Sequence, residues 1–118
     1  MLSSKSNVIT NNIFDSIPEN FKQEIIENIY VKQNLVIERI ISNGQATPTG
    51  QWYDQNKDEW LILMQGDATI LLEDNHQLIN LTAGDYLLIP AHTRHRVEWT
   101  RPNFNTIWLA MHMGESED

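Results

Sequence analysis

The residues with most chemical potential in this 118-residue chain lie in the stretch His92-Thr93-Arg94-His95-Arg96-Val97-Glu98-Trp99. His95, Val97 and Trp99 alternate with Arg94, Arg96 and Glu98. On a strand, that period puts the two sets on opposite faces. The second set is all charged and needs water, so the spacing predicts His95, Val97 and Trp99 on the inner face. An inward imidazole can move a proton, ligate a metal or simply be a hydrogen-bonded core residue. Four tryptophans, at 52, 60, 99 and 108, are many for this length. An aromatic wall suits a sugar, a planar ring or an organic cation, and it also fills a core. Trp60 alternates with Glu59 and so should face the other way, towards an N-terminal helix or a partner. His76, beside Asp74-Asn75, reads as surface, while His112 shares parity with Trp108 and Ala110.

These side chains need a frame, and most of the sequence reads as β. Residues 1–12 are rich in Ser, Asn and Thr and lack periodicity. Ser16-Ile17-Pro18-Glu19 fits a capping box, and Ile17, Phe21, Ile25, Ile26 and Ile29 follow at helical spacing. That pattern predicts a short amphipathic helix over about 17–29. From Val31 to Ser42 the residues are β-branched and partly alternating. Strands are then expected at Trp60–Met64, Ala68–Leu72, Leu78–Leu81, Tyr86–Ile89, His95–Trp99 and Phe104–His112. Asp74-Asn75 suits a tight hairpin turn, and Pro90 stops a strand. Seven or eight short strands with regular turns imply a sandwich or small barrel. The expected organisation is a tail and short helix over 1–30, a β-barrel over 31–113 and an acidic tail over 114–118.

Two spacings carry a family resemblance. Glu59 is followed by six residues and Gly66, while Gly84, Pro90 and His95 keep a second set of intervals. Together they resemble the cupin superfamily, double-stranded β-helix or jelly-roll barrels with motifs G-x5-H-x-H-x4-E-x6-G and G-x5-P-x-G-x2-H-x3-N. The likeness covers about residues 46–112, and small single-domain bacterial cupins of unassigned activity are the most similar kind. The departures are equally specific. The two family histidines fall on Trp52 and Asp54, the leading glycine on Ala46, the second motif's later glycine on His92 and its asparagine on Trp99. In metal-binding cupins the ligands are the two His and the Glu of the first motif and the His of the second, so the resemblance carries over Glu59 and His95. Asp54 can stand in for a His in charge and reach. Trp52 cannot, because an indole N–H only donates. His92, if the Pro90-Ala91 turn curls it into the mouth, supplies a further imidazole. Asp54, Glu59, His92 and His95 would make a set for one divalent transition metal, Fe, Mn, Ni or Zn. Without a metal, Glu59 and His95 are the candidate catalytic acid/base pair or a structural hydrogen bond. Trp52 and Trp99 are the candidate substrate-binding walls.

Composition narrows the classes. The net charge is −8, which argues against nucleic acid, whose phosphates demand a basic face. There is no cysteine, so a disulfide framework, a thiolate zinc site and a Cys nucleophile are excluded. No apolar run approaches the ~20 residues of a membrane helix, and the N-terminal sequence leads into polar residues, not a signal-peptide core. A soluble cytoplasmic protein is expected. The exposed edge of Val31–Ser42 invites pairing with a second copy, so a homodimer is expected too. Three functions are open: a metal-dependent enzyme such as a dioxygenase, isomerase or lyase; a metal-free small-molecule binding or sensing module with a Trp-lined pocket; and a structural or interaction protein.

Overall fold

The structure, a computed structural model, describes residues 7–114. Eight strands follow in chain order: β1 Ile25–Lys32, β2 Leu35–Ser42, β3 Asp58–Gln65, β4 Asp67–Leu72, β5 Gln77–Thr82, β6 Tyr86–Ile89, β7 His95–Thr100 and β8 Thr106–Met113. They form a five-stranded sheet, β1-β2-β8-β3-β6, and a three-stranded sheet, β5-β4-β7. All pairings are antiparallel. This is the jelly-roll β-barrel that the alternation and turn spacing imply. Leu61, Leu63, Ile70, Trp108 and Ala110 form its buried centre between the sheets.

The chain passes from the first sheet to the second at Gly66, between β3 and β4. Gly66 has φ of +96°, and a Cβ there would lie on Thr106 of β8. Only glycine serves both demands without displacing the neighbouring strand. At the far end of β4, a single 3₁₀ turn over Asp74–His76 closes the β4–β5 hairpin, with Asn75 at φ 62°.

The helix expected over 17–29 does not form. Ser16 and Asn20 both sit at φ 56°, a backbone that no right-handed helix contains. Residues 25–32 instead add a strand to the edge of β2, with Ile25 opposite Ile41 and Lys32 opposite Leu35. Ile25, Ile26, Ile29, Tyr30 and Val31 are good strand formers, and an open sheet edge satisfies their backbone as well as a helix would. The segment before β1 is held as irregular chain. Arg39, 8% exposed on β2, donates to the carbonyls of Ile13, Asp15 and Ser16 and pairs with Glu27. Of the acidic tail expected over 114–118, residues 115–118 lie outside the described residues.

The Gly66 crossing yields a stability prediction. Gly66→Ala should lower unfolding free energy by about 2 kcal/mol or more, combining a positive-φ penalty with overpacking against Thr106. Urea unfolding measures it, and a loss under about 0.5 kcal/mol would show that the crossing does not depend on glycine.

Candidate functional site

A cavity of about 440 Å³ opens between the sheets at the end where β3, β7 and β8 meet. Its inner part is apolar, with Val36, Ile40, Leu61, Ile70, Val97 and Trp108. Its mouth is polar and rich in carboxylates, with Glu24, Glu38, Glu59, Tyr53, His95 and His112. Strand parity explains the set. Even-numbered residues of β2 and β8 point inward, as do Glu59 and Leu61 of β3, and Glu59 stands directly opposite His112 across the β3–β8 ladder.

Glu59 and His95 are buried and meet inside this cavity. His95 Nε2 lies 3.3 Å from Glu59 Oε1, with side chains 7% and 9% exposed. The other ring nitrogen, Nδ1, donates to the Thr93 carbonyl at 2.8 Å. Burial by itself would lower the imidazole's pKa. The Glu59 hydrogen bond, the Thr93 carbonyl and the Glu59 charge outweigh that and leave it above the ordinary 6.5. Tyr53 stacks on His95, ring centroids 5.6 Å apart, and the two residues exchange both backbone hydrogen bonds in an isolated bridge. The Tyr53 hydroxyl donates to Glu24 at 3.3 Å. Burial and the adjacent Glu24 push Tyr53 up to about 12, so it is a neutral donor. Burial also raises Glu24, with the Tyr53 and Ser42 hydroxyls pulling the other way and the Glu38 and Glu59 charges adding to the rise. On the adjoining wall, His112 Nε2 lies 2.8 Å from Glu38 Oε1 and Nδ1 lies 2.9 Å from Gln55 Oε1.

The other expected site residues lie elsewhere. Asp54 and His92 do meet, at 3.4 Å, but at the rim, with side chains 43% and 71% exposed. His92 takes φ 63° in the turn after β6, and its backbone N–H donates to the Gln55 carbonyl, so the turn holds the ring outward. Trp52 lies outside the barrel with the Arg94 and Arg96 guanidinium groups 5.8 and 6.0 Å from its ring centre. The parity of Glu59 runs back through Lys57 and Gln55 to Tyr53, so the aromatic facing the cavity is Tyr53. Trp99 is 45% exposed and also faces out. A β-bulge causes this: Thr69 opposes Trp99 while the next residue, Ile70, opposes Val97, so Glu98 is an extra residue that reverses the alternation. Arg96 departs from the expected solvated face as well. Its side chain, 12% exposed, donates to the carbonyls of Thr47, Pro48 and Gln51 and binds Glu98.

Sequence reasoning missed Tyr53, Glu24 and Glu38 as members of the cavity. Tyr53 was within reach, since it shares the parity of Glu59. Glu38 shares the parity of Val36 and Ile40, which line the cavity, but Arg39 alternates in the same way with Ile37 and Ile41 on the outer face, so the sequence pattern alone did not choose between them. Glu24 fell inside the expected helix and had no independent signal.

Comparison with known proteins places this architecture. No family model matches the chain, and no curated protein does. Among solved structures, a protein of Ralstonia eutropha JMP134 described as a candidate mannose-6-phosphate isomerase is 42% identical, with a TM-score of 0.87, over 92% of this chain and 100% of its own. A cupin superfamily protein of Desulfitobacterium hafniense DCB-2 superposes with a TM-score of 0.70 at 19% identity, covering 84% of each chain. An RmlC-like cupin of Desulfovibrio desulfuricans gives 0.72 at 16% identity, over 90% of this chain and 96% of its own. The chain belongs to the cupin superfamily. Within a cupin barrel, the Glu59–His95 pair holds two of the four positions from which metal-binding members ligate their ion.

The residues present do not fit such an ion. A catalytic metal site takes at least three protein donors. Among the described residues, no group of three His, Asp or Glu side chains is placed to hold a metal. The motif's histidine positions carry an indole outside the barrel and a rim carboxylate, and both His95 nitrogens already face oxygen acceptors.

Two measurements follow. Elemental analysis of protein purified without an affinity tag should find transition metal far below one equivalent; a stoichiometric ion lost in His95→Ala would contradict this. The raised His95 pKa also has a signed consequence. Its stabilisation is complete below the ordinary 6.5 and fades as pH rises through the raised value. The gap in melting temperature between wild type and His95→Gln should therefore be larger near pH 6 than above about pH 9. A constant gap would show that the charged pair contributes nothing.

Proposed function

We propose that this cupin binds a small hydroxylated carbonyl compound in the barrel cavity and catalyses proton transfer on it without a metal, as an isomerase or epimerase. One observation supports the reading most: a buried carboxylate and a buried imidazole face each other in the wall of a cavity large enough for a monosaccharide-sized molecule. With a substrate carbonyl set beside His95, the Nε2 proton passes to the carbonyl oxygen as Glu59 takes the proton from the adjacent carbon. Glu59 then delivers its proton to the former carbonyl carbon while the hydroxyl on the adjacent carbon returns a proton to His95 Nε2 as it becomes the new carbonyl, so both residues regain their starting states. Tyr53 and Gln55 are placed to hold substrate hydroxyls.

The similar Ralstonia protein is described for an isomerase of a sugar phosphate. Isomerisation suits the Glu59–His95 pair, but a phosphate suits this cavity poorly. Glu24, Glu38 and Glu59 gather at the mouth, and among the described residues Lys57 is the one Lys or Arg lining it. A phosphate dianion would meet carboxylate repulsion there with little to offset it. The reading is therefore an unphosphorylated substrate.

The test is solvent exchange. In D₂O, wild type should incorporate deuterium at the carbon next to the carbonyl of mannose or fructose, read by NMR, and do so faster than with their 6-phosphates. Glu59→Gln should cut the rate by ~100-fold or more. Faster exchange with the 6-phosphates would reverse the substrate assignment. Binding without exchange would make the cavity a binding site and the Glu59–His95 pair its structural wall.

A further inference from the structure

The strands that bring Glu59 and His95 together carry hydrocarbon behind them. The next residue on the same face of β3 is Leu61, opposite Ala110 of β8, and one row further Trp108 of β8 stands opposite Ile40 of β2. On the facing sheet, the next residue on the face of His95 is Val97, opposite Ile70 of β4. All six line the cavity. Rows on one face of a strand lie ~6.8 Å apart, so the apolar wall starts one row inside the pair. The polar groups near that depth already have partners. The Trp108 indole N–H donates to Ser42 Oγ at 3.3 Å. Glu38, level with Ala110, is turned to His112, 2.8 Å from Nε2. Glu24 accepts from the Tyr53 and Ser42 hydroxyls at 3.3 and 3.5 Å. The cavity is therefore polar at the Glu59–His95 pair and apolar beyond it.

We propose that the molecule taken into this cavity has two unlike ends: a hydroxycarbonyl head at the Glu59–His95 pair, and an unbranched alkyl tail long enough to reach the row of Val97 and Ile70 and lie against Leu61 and Trp108. The head rests on the proton-transfer reading above, and the tail rests on the walls alone. A hexose carries a hydroxyl on each of its far carbons. Set in this cavity, those hydroxyls would leave water for a hydrocarbon wall, and each one stranded weakens binding by ~5-fold or more. A methylene in the same place gains by leaving water, roughly fourfold each. Val97 and Ile70 are β-branched and stiff, so the slot between the sheets exists before anything enters it. Mannose and fructose present the head without the tail, and so report the chemistry rather than the full fit.

The experiment is a ligand series titrated by NMR into Glu59→Gln, where proton transfer is blocked and binding is read alone. From 1-hydroxypropan-2-one through 1-hydroxybutan-2-one to 1-hydroxyhexan-2-one the head is constant and the tail grows by three methylenes, so Kd should fall by ~60-fold. The compound 1,3,4-trihydroxybutan-2-one keeps the four-carbon skeleton and adds two hydroxyls. It should bind ~10-fold or more weakly than 1-hydroxybutan-2-one. Val97→Thr keeps the branched shape and adds a hydroxyl to the slot. It should weaken the six-carbon ligand by ~5-fold or more and leave 1-hydroxypropan-2-one, too short to reach it, unchanged. Deuterium exchange of the same compounds by wild type reads the chemistry separately. Exchange with a Kd that ignores tail length would overturn the tail and keep the proton-transfer reading. A Kd that falls with tail length, without exchange, would uphold the tail and overturn that reading. Tighter binding of the trihydroxy compound, or a six-carbon ligand unaffected by Val97→Thr, would also overturn the tail.

Discussion

Glu59 belongs to the five-stranded sheet and His95 to the three-stranded one, and their contact spans the cavity that keeps the sheets apart. Much of the open end of the barrel is arranged around that contact. Tyr53 is bridged to His95 by two backbone hydrogen bonds and lies against its ring. Thr93, two residues upstream, fixes the imidazole's orientation from the other side. A buried ion pair recovers its desolvation cost only when such additional bonds complete it. Here the completing groups are also the ones that shape the cavity mouth.

The same pair explains why a barrel with cupin spacing differs chemically from a metal-binding cupin. A ligand histidine must present a lone pair to the ion. His95 presents acceptors to both nitrogens, and its pKa is shifted towards the cation. Where the first motif has two histidines, this chain has Trp52, an indole held outside the barrel beside two arginines, and Asp54, a carboxylate at the rim. Arg96 then ties the Thr47–Gln51 loop to β7 through three carbonyls. Among the described residues, the cavity gathers carboxylates, Glu24, Glu38 and Glu59, against one lysine, Lys57. Tyr53 answers part of this by donating to Glu24, and His112 by contacting Glu38.

Much of the fold was legible because β-strand patterning and turn residues agree with each other over residues 58–113. His95 was placed correctly by its charged neighbours, and Glu59 by its distance from Gly66. The failures have local physical causes. Ile17, Phe21, Ile25 and Ile29 satisfy helical spacing, but positive φ at Ser16 and Asn20 and the open edge of β2 decide the outcome. Trp99 obeys strict alternation in the sequence, and nothing in the residue types announces the bulge at Glu98 that turns it outward. Trp52 was assigned from motif spacing, whereas the parity of the chain itself selects Tyr53. Trp60 was read as facing the helix or a partner; the helix does not form, and the ring lies against Tyr86 of the adjoining strand.

The central claim, that Glu59 and His95 form a charged pair with both imidazole nitrogens occupied, can be read directly from the His95 ring nitrogen shifts by NMR as pH is varied. Both nitrogens should still carry protons at the ordinary imidazole pKa of 6.5, and titration should occur above it, returning towards the ordinary value in Glu59→Gln. A free lone pair on Nε2 at that pH, with titration at or below 6.5 and unchanged in Glu59→Gln, would contradict the account.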